Sequence, residues 1–243
     1  MRAHKDRPSG AGNPLLEPPT TAEVKQLWWF FDGSIMNPEP RHHLWQSWGF
    51  CPRHAWLHAA AEIELRGGRP FSTAILYEDL TARAASAAES HLPWELVARK
   101  LRSRTYCFTC DYTVMSAGDP TFHDRRDRVA KLERTRALLE DLDTVWRTRS
   151  CPVCLGGTGP ICRPHLLASP HPPEDRAFLA STIRELARSL RVYVKSMTWQ
   201  GPTASDEVKA SWIEALGWFG SWEWPDALTH PAQSPKVPRQ ETT

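Results

Sequence analysis

The sequence predicts an all-α fold, a bundle-like array of helices stapled by two metal sites, and three observations predict it. Apolar residues recur at every third or fourth position over most of the chain, most clearly as Leu179, Ile183, Leu186, Leu190, Val194 and Met197. Helix start and stop signals bracket these runs. All six cysteines also fall into pairs with a partner three residues away: Cys51 with His54, Cys107 with Cys110, Cys151 with Cys154, and Cys162 with His165. No thiol is left over.

Residues 1–20 are rich in Pro and Gly and are expected to form a disordered lead. Residues 21–224 are expected to be a single helical metal-binding domain, with halves at 21–120 and 121–224, followed by a disordered tail at 225–243. Thr20-Thr21-Ala22-Glu23 is a capping-box pattern opening an apolar helix over Val24 to Phe31, which Asp32-Gly33 ends. Asn37-Pro-Glu-Pro40 reads as a turn, and a short helix follows from Arg41 to Trp48. Pro52 suits the first turn of the next helix, because its missing N–H costs nothing there. That helix runs through Ala55 to Leu65 and stops at Gly67-Gly68.

Ser72 to His91 and the stretch after Pro93 are further helices. The segment Thr105–Met115 has β-type composition and predicts a small hairpin carrying Cys107 and Cys110. One long charged helix is expected over His123 to Arg149, with Val129, Leu132, Leu139, Leu142 and Trp146 on one stripe. Another spans Glu174 to Met197. Ser205 caps the last, which carries Val208, Trp212, Leu216 and Phe219.

The pairs carry the chemistry. Cys151-Pro-Val-Cys154 and Cys162-Arg-Pro-His165 offer three thiols and an imidazole within fifteen residues. Two close pairs of soft ligands suit tetrahedral Zn2+, each pair spanning one edge. Cys51, His54, Cys107 and Cys110 then form a second Cys3His set, so two zinc ions are expected. This local grouping is favoured over crossed pairings because a short loop costs less entropy to close. Three other readings stay open: a redox dithiol, inert buried thiols, and an iron–sulfur cluster as the alternative cofactor.

His54, His58 and Glu62 fall on one helix face and could hold a catalytic metal. The favoured reading gives His54 to the Cys3His set and leaves His58 and Glu62 on a solvated face. Tyr77-Glu78-Asp79 and His42-His43 read as structural. No phosphate-binding loop or nucleophile elbow is present, and no catalytic residue is assigned.

Apolar residues make up 41% and charged residues 24% of the chain, as in an ordinary globular protein, and the net charge of +2 sets up no field for nucleic acid or anionic lipid. Arg99-Lys-Leu-Arg-Ser-Arg104, and Arg125-Arg-Asp-Arg128 through Lys131, Arg134 and Arg136, are local basic patches. Asp124, Asp127 and Glu133 interleave in the second as on a solvated helix, and no recognition helix stands out, so nucleic acid is a partner weighed and not favoured. No apolar run reaches the roughly 18 residues that span a bilayer. The first residues lack the apolar core of a secretory signal. A cytoplasmic location is expected, where paired thiols mean metal more often than disulfide.

Five of the twelve tryptophans lie in Leu27–Phe31 and Gly217–Trp224, stretches of a kind more often core than ligand platform. Gly217 and Gly220 weaken the helix there, so an exposed apolar patch for a protein partner is expected. The function expected is a zinc-binding interaction or regulatory module. The alternatives are an iron–sulfur protein in redox sensing or electron transfer, and a nucleic-acid-binding regulator.

A wider pattern joins these elements: Asn37-Pro-Glu-Pro, Trp48-Gly-Phe-Cys-Pro-Arg-His54, Ala74-Ile-Leu-Tyr-Glu-Asp-Leu80, Cys151-Pro-Val-Cys154 and Pro160-Ile-Cys162-Arg-Pro-His165. Together they resemble an uncharacterised bacterial family of helical proteins with repeated CPxC and GxCxxH metal-binding elements. The likeness covers roughly residues 24–195 and departs from the pattern ahead of Cys51, where Leu27-Trp28-Trp29-Phe30 replaces a CPxC pair. It implies metal binding and a helical fold, and no activity.

Overall fold

Thr20 opens the first helix as its sequence predicts. Its hydroxyl accepts the Glu23 N–H at 3.1 Å, and Glu23 returns a carboxylate to the Thr20 N–H at 2.7 Å. From there the computed structural model describes residues 16–115, 118–169 and 171–231, and no strand occurs among them. The helices in order are α1 (Thr21–Trp29), continuing as a π-helical turn over Phe30–Ser34, α2 (Pro38–Ser47), α3 (Pro52–Arg66), α4 (Phe71–Glu89) and α5 (Trp94–Leu101). Next come α6 (Phe108–Met115), a 3-10 turn at Pro120–Phe122, α7 (His123–Lys131), α8 (Glu133–Asp141) and α9 (Asp143–Thr148). The chain closes with α10 (Pro152–Leu155), α11 (Arg163–Ala168), α12 (Arg176–Ser196), α13 (Asp206–Phe219) and α14 (Glu223–Thr229).

The two longest helices, α4 and α12, pack along each other, and α13 lies across both. Leu179, Ile183, Leu186 and Leu190 are the buried stripe of α12, matching the periodicity in the sequence. One apolar core runs from Phe30 to Leu228, and a smaller cluster joins Val24, Leu27 and Phe31 of the first helix to Leu57, Ala61 and Val129. Trp56 and Trp224 stack in the large core with ring centroids 5.4 Å apart. The indole N–H of Trp56 reaches the carbonyl of Ser221 and that of Trp146 the carbonyl of Leu139, both at 2.9 Å.

Two buried carboxylates on α3 start two other helices. Neither α4 nor α8 has a capping side chain of its own. Glu62 accepts the N–H groups of Ser72 and Thr73 at 2.7 and 3.1 Å, and Glu64 accepts the N–H of Thr135 at 2.9 Å. Each carboxylate meets N–H groups that a helix start leaves unpaired.

Several expectations are corrected. The single helix over 123–149 is three, because Leu132 turns left-handed at φ 54 and Leu142 leaves the helical region. Around that break Thr135 bonds Glu64, while Arg128 and Arg134 donate to the carbonyl of Glu64 at 2.9 and 3.3 Å. Bonds to α3 replace bonds within one long helix. The hairpin at Cys107 and Cys110 is also wrong, since that segment is α6. Helix propensities of Thr, Tyr and Val lie within ~0.7 kcal/mol per residue of alanine, too little to resist tertiary packing. Asn37 is a helix cap rather than a turn residue, with Pro38 opening α2.

The expected apolar patch at Gly217–Trp224 is core instead. Trp218, Trp222 and Trp224 are each no more than 2% exposed. Gly217 is where the Trp222 ring lies against the α13 backbone, and a Cβ would collide with it. Burying one large apolar side chain is worth about 1.5–3 kcal/mol, more than the ~1 kcal/mol a helical glycine costs. Pro225 to Thr229, placed in the tail by sequence, belong to α14 (Glu223–Thr229). Residues 1–15 of the expected lead and 232–243 of the expected tail lie outside the described residues.

Candidate metal centres

All four Cys pairs use one device. The carbonyls of Cys51, Cys107, Cys151 and Cys162 accept the first i+4 hydrogen bonds of α3, α6, α10 and α11, from Ala55, Asp111, Leu155 and Leu166. Each first cysteine is therefore the residue before a helix, and its partner is the third residue inside. That spacing is the one a capping box uses, and it turns both side chains toward the same point beyond the helix end. Pro52 and Pro152 fill the next position, where no N–H is needed.

The structure brings the eight side chains into two groups: Cys51, His54, Cys107 and Cys110 (site A), and Cys151, Cys154, Cys162 and His165 (site B), with donor atoms within 4.8 Å of one another. This is the local grouping. In site A the Sγ atoms of Cys51 and Cys110 are 3.7 Å apart, and His54 Nδ1 lies 3.3, 3.6 and 3.3 Å from the sulfurs of Cys51, Cys107 and Cys110. In site B Cys154 and Cys162 are 3.7 Å apart, and His165 Nδ1 lies 3.8, 3.3 and 3.2 Å from Cys151, Cys154 and Cys162. Zinc at about 2.3 Å from sulfur and 2.0–2.1 Å from nitrogen requires tetrahedral edges of about 3.8 Å between sulfurs and about 3.6 Å from sulfur to nitrogen. The donors fit one ion per site.

Thiols this close share charge unevenly. Hydrogen bonds from Cys110 and Cys51 hold Cys107 well below the usual thiol range, and those with Cys107 and Cys110 push Cys51 up. In site B Cys162 holds Cys154 down to about 6. A divalent cation removes the conflict by stabilising all three thiolates at once.

Behind site A stands a carboxylate that the sequence presents only as a helix cap. His54 turns Nδ1 to the sulfurs and Nε2 to Glu23 Oε1 at 3.0 Å, with both side chains about 5–6% exposed. Arg53 grips both Glu23 oxygens, Nε to Oε1 at 2.9 Å and its terminal nitrogen to Oε2 at 3.2 Å. Burial would raise the Glu23 pKa, but the hydrogen bonds from His54 and Arg53 hold it far below the carboxylate range. This carboxylate–histidine pair fixes the imidazole's orientation toward an ion. Its only signal in sequence was the Glu of the capping box.

Site B has no such support among the described residues. His165 is half-buried, and its Nε2 meets no hydrogen-bond partner there. Its neighbour Arg163 points the other way, donating to the carbonyl of Leu101 at 3.0 Å and that of Phe219 at 3.4 Å. It thus closes the ends of α5 and α13. Burial lowers its pKa to about 10. Arg163 also borders a cavity of about 240 Å³ whose wall includes Cys51 and Cys107 of site A.

His58 and Glu62 join neither group, and they are not solvated as the sequence led one to expect. They are 0% and 2% exposed. His58 bonds the Thr73 hydroxyl at 2.8 Å and stacks on Phe50, while Glu62 caps α4. Tyr77 is core, Glu78 pairs with Arg191, and Asp79 pairs with Arg41 and Arg83. Comparison of the chain with family models, curated proteins and solved structures finds no match. Among the described residues, no helix is long and apolar enough to cross a membrane.

Proposed function

We propose that the protein is a cytoplasmic zinc-holding helical module, with one structural ion in each site, and that it presents a surface to a partner. The observation that carries this is the pair of four-donor groups at tetrahedral-edge spacing. Three sulfurs and a nitrogen complete each tetrahedron and leave a bound ion no open position for substrate, which favours a structural role over a catalytic one. The same closeness argues against the iron–sulfur alternative. A multi-iron core sits among its ligands, and donors within 4.8 Å of one another leave it little room. Membership of the bacterial family with CPxC and GxCxxH elements belongs to the same proposal and rests on those elements alone.

Elemental analysis of anaerobically purified protein tests the reading. Two zinc ions per chain are expected, with no visible absorbance. Structural zinc contributes on the order of 10 kcal/mol, comparable to the whole stability of a domain. A strong chelator should therefore abolish the cooperative thermal transition, and a melting curve that ignores chelation would overturn the structural role.

A further inference from the structure

Two basic patches were legible in the sequence, and the fold treats them differently. In the second, Arg125 lies over the rings of Trp28 and Phe122 at 4.5 and 4.8 Å, and Arg126 pairs with Asp127. Arg128 and Arg134 cap α3. These four arginines are engaged within the molecule, while Lys131 and Arg136 of the same patch are exposed and, among the described residues, without an ion-pair or hydrogen-bond partner. In the first, Arg99, Lys100, Arg102 and Arg104 are all exposed. Among the described residues none of their side chains has an ion-pair or hydrogen-bond partner. The nearest acids in sequence, Glu95 and Asp111, pair with none of them.

The free cations run directly into a row of aromatic rings. The backbone N–H of Arg104 is pinned to the carbonyl of Gln46 at 2.7 Å, and the carbonyl of Tyr106 bonds His43 Nε2 at 2.8 Å. His43 packs edge-on against Phe108, whose ring stacks on Trp29 at 6.3 Å with 21° between planes. Tyr106 is 67% exposed and Trp29 44%. Apart from Phe71, Phe178 and Trp199, the other large aromatics are buried or half-buried. Here two leave ring surface exposed beside four cations without partners, Tyr106 next to Cys107 in the chain and Trp29 stacked on Phe108 one residue beyond it.

We propose that this surface, from Arg99 through Tyr106 to Trp29, binds single-stranded nucleic acid. The cations would follow the phosphates, and unstacked bases would lie on the Tyr106 and Trp29 rings. Charge next to open aromatic faces is the arrangement single strands require. A duplex keeps its bases paired and stacked, so it would engage the cations and not the rings. An acidic peptide would use the cations and leave the rings idle. The proposal rests on the reading of site A, because Cys107 and Cys110 fix the segment carrying Tyr106 and Phe108.

Fluorescence anisotropy with a labelled oligo-uridine of about 12 nucleotides tests it, on full-length protein whose metal content is measured in the same sample. With four phosphate contacts, log K should fall against log salt with a slope of about −3. Replacing Arg99, Lys100, Arg102 and Arg104 by Gln should weaken binding by roughly a hundred-fold or more and flatten that slope. Tyr106→Ala should weaken it roughly tenfold with the slope unchanged, which a purely electrostatic surface would not do.

No binding by protein that carries both ions overturns this inference and leaves the zinc reading intact. Binding with the expected slope by protein that lacks zinc does the reverse. Equal competition by poly-glutamate, with Tyr106→Ala silent, identifies an acidic peptide partner and also overturns it.

Discussion

Sites A and B use the same four donors and the same spacing, yet they do different work in the fold. In site A the ligands from α3 lie 53–59 positions from those of α6; in site B all four donors fall within 14 positions. Closing the wider span costs about 1.3 kcal/mol more chain entropy by the logarithmic loop rule. Site A therefore ties together α3 and α6, which are far apart in the chain. Site B can gather its ligands on a nearly unfolded chain, and an ion that also binds the unfolded chain stabilises the fold less. The histidines differ in the same direction: His54 is backed by Glu23 and Arg53, whereas half-buried His165 has no such partner among the described residues. Identical ligand sets do not imply identical contributions.

The largest expected effect breaks the comparison most directly. Cys107→Ser should cost on the order of 5 kcal/mol or more and leave little cooperative unfolding, since it removes a ligand from a long-range structural site. Cys154→Ser should cost distinctly less and keep a cooperative melt, because α12, α13 and α4 pack without it. Urea titrations of both zinc-loaded variants decide this, and equal losses would mean the sites are equivalent after all. A smaller effect sharpens the difference. Glu23→Gln should weaken metal binding at site A by about 10–100-fold and leave site B unchanged. In competition with a chromogenic chelator one of two release phases should move while the other holds still. A common shift in both phases would remove Glu23 as the source of the asymmetry.

What the sequence made legible follows from what is local. The helix stripes and the ligand pairs depend on residues three or four apart, and both appear in the structure. The grouping into sites A and B followed from spacing as well. What it hid depends on distant partners. The break at Leu132 is set by Glu64, 71 positions before the Thr135 it binds. The second role of Glu23 depends on α1 packing across α3, 31 positions on. The β-like segment at Cys107 becomes helical because its two thiols need the cap-to-third-residue geometry that the other three pairs also use. That shared spacing was present in the sequence and could have predicted α6.

The smallest effect concerns acid, and it too falls on the side of site A. His58 sits one helical turn beyond His54, enclosed by Phe30, Phe31 and Phe50. Burial lowers its pKa from 6.5 to about 3. The folded protein thus keeps His58 neutral where an unfolded chain would take up a proton. Its contribution is fully present above pH 6.5 and is lost as the pH falls toward 3. Between pH 7.5 and 6 that loss is about 0.8 kcal/mol, a window in which both ions should stay bound. His58→Gln keeps a partner for the Thr73 hydroxyl and cannot titrate, so its stability should fall less over this interval than that of the zinc-loaded parent. Equal pH slopes in urea titrations would show that His58 takes up no proton on unfolding. In that case the acid sensitivity of this half of the molecule would arise at the ligands alone, as it must in site B, which has no buried histidine beside its ligands.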